Sequence, residues 1–146
     1  YQWLRPGGVL AIVLPDSILS NPGLLFIREW ILEKFKVIAS VDLPVETFVA
    51  FGGTGTQTSV LVLRKKTETE IEHEKLTGKF LEYEVFMAVP RTMGYDRRGN
   101  DLWKRDDEGY LLIDERDDEV SEVAEVFIDW LNGSSMAKVV DQERVR

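Results

Sequence analysis

FGGTGTQTSVLVLRKK, residues 51–66, is the stretch on which the fold turns. Its glycines, threonines and terminal cations have the composition of a loop that cradles phosphate. Such a loop follows a strand and opens a helix, whose first amides and dipole face the anion. Here the glycines lead into Ser59-Val60-Leu61-Val62-Leu63, a β-branched apolar run that predicts a strand. A Walker loop also needs Lys-Ser or Lys-Thr after its last glycine, and this chain has Gln57-Thr58. The stretch therefore predicts a connection between two strands, with no cofactor-binding residue in it.

Working upstream, Val37–Leu43 predicts a second strand, which Pro44 stops. The fourteen residues from 44 to 57 make a long connection, of the kind that carries function more often than an ordinary turn. Earlier still, Pro6-Gly7-Gly8 is a turn before Val9-Leu10-Ala11-Ile12-Val13-Leu14, an unbroken apolar run closed by Pro15. A run without polar alternation suits a strand covered on both faces, as in a parallel sheet. Between these strands Leu24, Ile27, Ile31 and Leu32 predict a helix from Leu24 to Phe35, with Asn21 as its cap and Pro22 in its first turn. The order is strand, helix, strand, long loop, strand. The first two strands can run parallel through a right-handed crossover, and the third most simply returns antiparallel.

Downstream, residues 67–79 are polar, and the only histidine, His73, reads as exposed surface with no second metal-type partner near it. Leu81–Val89 is apolar and short, either helix or strand. Residues 94–100 are turn-rich. Leu102-Trp103 and Tyr110–Ile113 flank Asp106-Asp107-Glu108-Gly109, a predicted β-hairpin. Asp117 and Asp118 open a helix whose apolar stripe is Val120, Val123, Ala124, Phe127, Trp130 and Leu131, closed by Gly133. That stripe must be buried, either on its own chain or on a partner.

Composition bounds the class. A chain of 146 residues with 44% hydrophobic and 10% aromatic residues can bury a real core. It contains no cysteine, which excludes disulfides and thiolate metal sites and fits a reducing cytoplasm. Its longest apolar run falls far short of the roughly 20 residues of a membrane span. Charge divides the chain: residues 1–66 hold seven Lys/Arg and five Asp/Glu, whereas residues 67–146 hold eleven and twenty-one. The acidic second part argues against wrapping DNA with that part. Arg64, Lys65 and Lys66, like Arg97 and Arg98, are open to two readings, DNA phosphate contacts or solvated surface, and the second is the simpler.

Leu4–Asp16, then Ile38–Pro44 with Thr47-Phe48, then Thr58–Lys65 together resemble the later part of the N6-adenine DNA methyltransferases, most of all the modification subunit of type I restriction systems. Tyr83–Ala88 and Met93–Asn100 are similar to the segment that follows in that family. The resemblance implies an α/β fold: a partial Rossmann-like class I methyltransferase sheet, its last three strands with one antiparallel, over residues 1–66. Residues 67–146 would be an acidic, family-specific extension of hairpin and amphipathic helix. It implies methyl transfer from S-adenosylmethionine to a flipped adenine in DNA, within a complex that includes specificity and restriction subunits. The family's glycine-rich cofactor loop and its Asn/Asp-Pro-Pro-aromatic motif are not in this chain, and Asn21-Pro22-Gly23 is only a partial echo. The chain is therefore expected to be the carboxyl-side fragment of a catalytic domain, inactive alone and not binding S-adenosylmethionine.

In that family the loop between the last two strands approaches the flipped base with an aromatic ring. Phe48 matches best, with Phe51 second. Gly52, Gly53 and Gly55 would let backbone approach DNA closely, and Thr54, Thr56 and Thr58 would bond phosphate oxygens. The plain alternative packs Phe48 into the core. Asp16, just after the first strand, is a cleft-edge candidate and equally a helix-start residue. The fragment reading expects Val9–Leu14 to expose a free sheet edge, with an edge-strand dimer as a by-product. The rival reading is a non-catalytic interaction module that docks a partner subunit through helix 118–131.

Overall fold

The computed structural model describes residues 1–50, 52–53 and 55–133. In chain order the elements are β1 (Val9–Pro15), α1 (Asp16–Ser20), a 3-10 turn (Pro22–Leu24), α2 (Leu25–Lys34), β2 (Phe35–Leu43) and α3 (Glu46–Val49). Then follow β3 (Thr58–Lys65), α4 (Glu68–Thr77), β4 (Phe86–Ala88), β5 (Trp103–Arg105), β6 (Leu111–Arg116) and α5 (Glu119–Gly133). The fold is mixed α/β. One sheet has the order β1-β3-β2-β4, and β5 and β6 form a separate hairpin.

Strand β3 is antiparallel to both β1 and β2 and lies between them, while β4 runs parallel to β2. The first two strands therefore share a direction, as the crossover argument requires, but they are not neighbours. Their carboxyl ends meet at one point, where Pro15 and Leu43 both pair with Thr58.

The expectation that Val9–Leu14 is covered on both faces is overturned. Strand β1 ends the sheet; Leu10 and Leu14 pack on the core of Ile31, Phe35, Leu61 and Leu63, but Val9 is 48% and Val13 46% exposed on the opposite face. An apolar run without alternation records that both faces suit burial, not that the described residues bury both.

Helix α2 passes into β2 with no connecting residue, so Phe35 opens the strand rather than ending the helix. Its side chain is 2% exposed and meets Tyr1 edge-on and Trp30 at a tilt, which fastens the chain start to the α2–β2 joint. The Asn21 side chain accepts from the Gly23 amide at 2.8 Å, so it caps the 3-10 turn before α2 rather than α2 itself, whose N-cap is Leu24. Leu25, Phe26 and Trp30 remain exposed on the outer side of α2.

After β3 comes a correction. Arg64 and Lys66, expected to be solvated, are each 2% exposed. Helix α4 is the cause. Thr67 and Glu70 form a capping box at its start, and Gly78 closes it at φ 66°. Glu70 then reaches Arg64 at 2.6 Å and Lys36 at 2.7 Å, and Glu74 meets Lys66 at 2.7 Å. Burial pushes the Glu70 carboxyl up, but hydrogen bonds from Lys36, the Thr67 amide and Arg64 outweigh it and hold the pKa at about 2. Lys65 is likewise used internally, donating to the Leu4 carbonyl at 2.6 Å. His73 lies exposed on α4.

Of Leu81–Val89 only Phe86–Ala88 is strand. It receives α5: Phe86 lies 5.1 Å from the ring of Phe127 and 5.6 Å from that of Trp130. The aromatic end of the stripe, Phe127 and Trp130, is thus half-buried against its own chain. The hairpin turns where predicted, with Gly109 at φ 89°. Among the described residues no helix is long and apolar enough to cross a membrane.

Candidate functional site

The carboxyl ends of β1 and β2 form one rim of the sheet, and in open α/β sheets such rims carry ligands. Gln57 is its clamp. Its side-chain amide donates to Asp42 Oδ1 at 2.9 Å and to the Leu43 carbonyl at 2.8 Å, while its own carbonyl accepts from the Asp16 amide at 2.9 Å. Ser59 adds a bond to the same Asp42 oxygen at 3.3 Å. One residue at the loop exit thus ties both strand ends together, β2 through its side chain and the end of β1 through its backbone carbonyl.

Asp16 lies on this rim, but not as a cap. Pro15 takes the N-cap position of α1, and the Asp16 carboxylate accepts from Ser20 Oγ at 3.1 Å, within its own helix. Proline leaves no room for the side-chain cap that an Asp one residue earlier would provide.

The glycines close a helix rather than open one. Gly52 donates to the Val49 carbonyl at 3.1 Å and Gly53 to the Phe48 carbonyl at 2.8 Å, the paired bonds of a Schellman motif at the end of α3. Gly52 has φ 79°, which favours glycine, and a Cβ on Gly53 would collide with the Phe48 carbonyl. The chain after Gln57 is extended as β3. Among the described residues no helix N-terminus directly follows the glycines.

Phe48 stands on α3 with 41% of its surface exposed, so it is not swallowed by the core. Gly52, Gly53, Gly55 and Thr56 are exposed beside it. Phe51 and Thr54 lie outside the described residues. Thr58 is not loop surface: it begins β3, and its hydroxyl is buried without a hydrogen-bond partner among the described residues.

The far side of α3 rests on residues 91–102. Tyr95 donates its hydroxyl to the Thr47 carbonyl at 3.2 Å, and Arg97 Nε donates to Glu46 Oε1 at 2.9 Å. The Arg97 bond and the Glu46 amide lower the Glu46 pKa, and burial raises that of Tyr95. Between these elements is a cleft of about 380 Å³ lined by Pro44, Glu46, Arg91, Tyr95 and Arg98 among others. Residues 94–100, read from the sequence as a turn-rich segment with two arginines of open role, thus support the loop that carries Phe48. The signal missed was the length of that loop, which needs a second surface to lean on.

A family model described as N-6 DNA methylase matches residues 1–146. The chain belongs to the N-6 DNA methylase family. A search among curated proteins gives no match for this N-6 DNA methylase chain. Among solved structures, a crystal structure titled as a class I S-adenosylmethionine-dependent methyltransferase from Listeria monocytogenes is similar at 18% identity and a TM-score of 0.43. That likeness covers 60% of the N-6 DNA methylase chain and 23% of the other, so the chain spans less than a quarter of that structure's length.

Proposed function

We propose that this chain is the carboxyl-side part of a DNA adenine-N6 methyltransferase, of the modification-subunit kind found in type I restriction systems. Residues 1–66 would complete a Rossmann-like catalytic sheet and residues 67–146 form its extension. The whole enzyme would take its methyl group from S-adenosylmethionine and place it on the amino nitrogen of an adenine turned out of the duplex. This part supplies the wall against which the base rests.

The observation that carries the reading is Phe48, half-exposed on a short helix pinned at the carboxyl rim of the sheet, in a chain matched along its length by the N-6 DNA methylase family model. Turning a base out costs a few kcal/mol, and stacking it on an aromatic ring returns about 1–3 kcal/mol per base. Bonds from Gly53, Tyr95 and the Thr47 hydroxyl fix the helix before DNA arrives, so the ring needs little ordering on contact.

The test uses the intact protein and DNA carrying 2-aminopurine at the methylated adenine. Phe48→Ala is expected to reduce the fluorescence rise of extrusion roughly tenfold, with methylation falling in step. An unchanged rise would remove Phe48 from the base. The isolated chain is expected to give no heat of binding with S-adenosylmethionine in calorimetry, and heat that requires Gly53 would overturn the fragment reading. Specificity and restriction subunits are the partners this reading implies, and self-pairing along β1 is expected of the isolated chain.

The interaction-module reading keeps one observation in its favour: Val126 and Ile128 of α5 are 57% and 56% exposed. Against it, Phe127 and Trp130 of the stripe already pack on Phe86.

A further inference from the structure

We propose that the cleft between α3 and residues 91–102 seats a backbone phosphodiester of the DNA strand beside the extruded adenine, held by Arg91 and Arg98. The inference rests on the base-side reading of Phe48 and assigns a ligand to the cleft behind it.

Four observations carry it. First, the acids in the cleft are already satisfied: Glu46 is paired with Arg97, and the Asp96 carboxylate accepts from the Arg98 amide, the Asn100 amide and the Asn100 side chain at 2.8–3.0 Å. Second, the acids around it are turned to other donors, with Asp117 on the Thr92 hydroxyl, Asp118 on Ser121 and Glu119 on the Arg91 amide. Third, the side chains of Arg91 and Arg98 have no carboxylate partner among the described residues, although the chain carries a net charge of -8 and acids are abundant. Two free guanidinium groups in one concave site fit a phosphate, because the planar fork matches its oxygens two at a time.

Fourth, Arg98 is placed by a closed turn, and the Arg91 amide is held by Glu119. Asp96 and Asn100 close the turn with two backbone bonds besides the side-chain ones, Gly99 to the Asp96 carbonyl at 3.0 Å and Asp96 to the Asn100 carbonyl at 2.9 Å. Arg97 then ties that turn to α3, two residues before Phe48. The cleft therefore lies within one helical turn of Phe48 along the chain, on the short helix that carries the ring. Arg97 itself is the positioning residue; Arg91 and Arg98 touch the ligand.

The experiment measures binding of the intact protein to a fluorescent DNA duplex by anisotropy, across a series of salt concentrations. The Arg91→Gln, Arg98→Gln double variant is expected to flatten the slope of log K against log salt by about one, the value for one phosphate contact. Arg105→Gln, on the hairpin, should leave the slope as it is. An unchanged slope in the double variant overturns the proposal. Failure of the base-side reading looks different: the Phe48→Ala variant keeps its 2-aminopurine signal while the arginine variant still loses slope.

Discussion

Gly53 hands its amide proton to the carbonyl of Phe48 at 2.8 Å, across a gap that a single Cβ would fill. The glycine-rich stretch therefore belongs to the helix before it, not to a ligand after it. Gly53→Ala is expected to force the end of α3 open at a cost of roughly 1–3 kcal/mol. Limited proteolysis should then cut within residues 44–57 at a rate well above wild type, while strands β2 and β3 stay protected. Equal cutting in both proteins would show that the cap does not hold the loop.

The Glu70 carboxylate holds two cations, Arg64 and Lys36, and its pKa of about 2 lies below the ordinary 4.5. A carboxyl depressed on folding adds stability above its unfolded pKa and loses it as pH falls through the folded one. The contribution, on the order of 3 kcal/mol at neutral pH, should fade between about pH 4.5 and 2. Glu70→Gln removes this dependence and leaves Arg64 buried without its counter-charge, costing about 3–5 kcal/mol. Urea unfolding of both proteins at several pH values measures the two effects.

Gln57→Ala removes two hydrogen bonds that span the loop exit and the end of β2. It is expected to cost about 1–3 kcal/mol, since the Asp42 carboxylate and the Leu43 carbonyl lose a half-buried donor. Gln57→Glu should be worse, because it sets a second carboxylate against Asp42. Thermal unfolding orders the three proteins, and a Glu variant as stable as wild type would refute the clamp.

Phe86 is the seat of α5, so Phe86→Ala should free that helix before the main sheet yields. A cost of about 2–4 kcal/mol is expected for a half-buried ring. Hydrogen exchange should accelerate across residues 119–133 and much less in β3. Uniform acceleration would mean that α5 and the sheet open as one unit.

The strands were legible because prolines and glycines bracket apolar runs: Val9 to Pro15, Val37 to Pro44, Thr58 to Leu63. Their order was not, since the slot that β3 takes between β1 and β2 is a matter of long-range pairing. The three cations after Leu63 were misjudged for a local reason. Thr67-Glu68-Thr69-Glu70 is a capping-box pattern, and it sets Glu70 and Glu74 one helical turn apart, facing Arg64 and Lys66. Phe48 was legible as a candidate from its place in the loop. Its support was not, because Tyr95 and Arg97 reach it from almost fifty residues away.

Helix α2 becomes strand β2 between Lys34 and Phe35 with nothing to spare. One extra codon at that seam would invert the strand, sending Phe35 out of the core and Asp42 away from Gln57 in a single slip. Length variation among related genes should accumulate freely in the surface connections and stop dead at this junction.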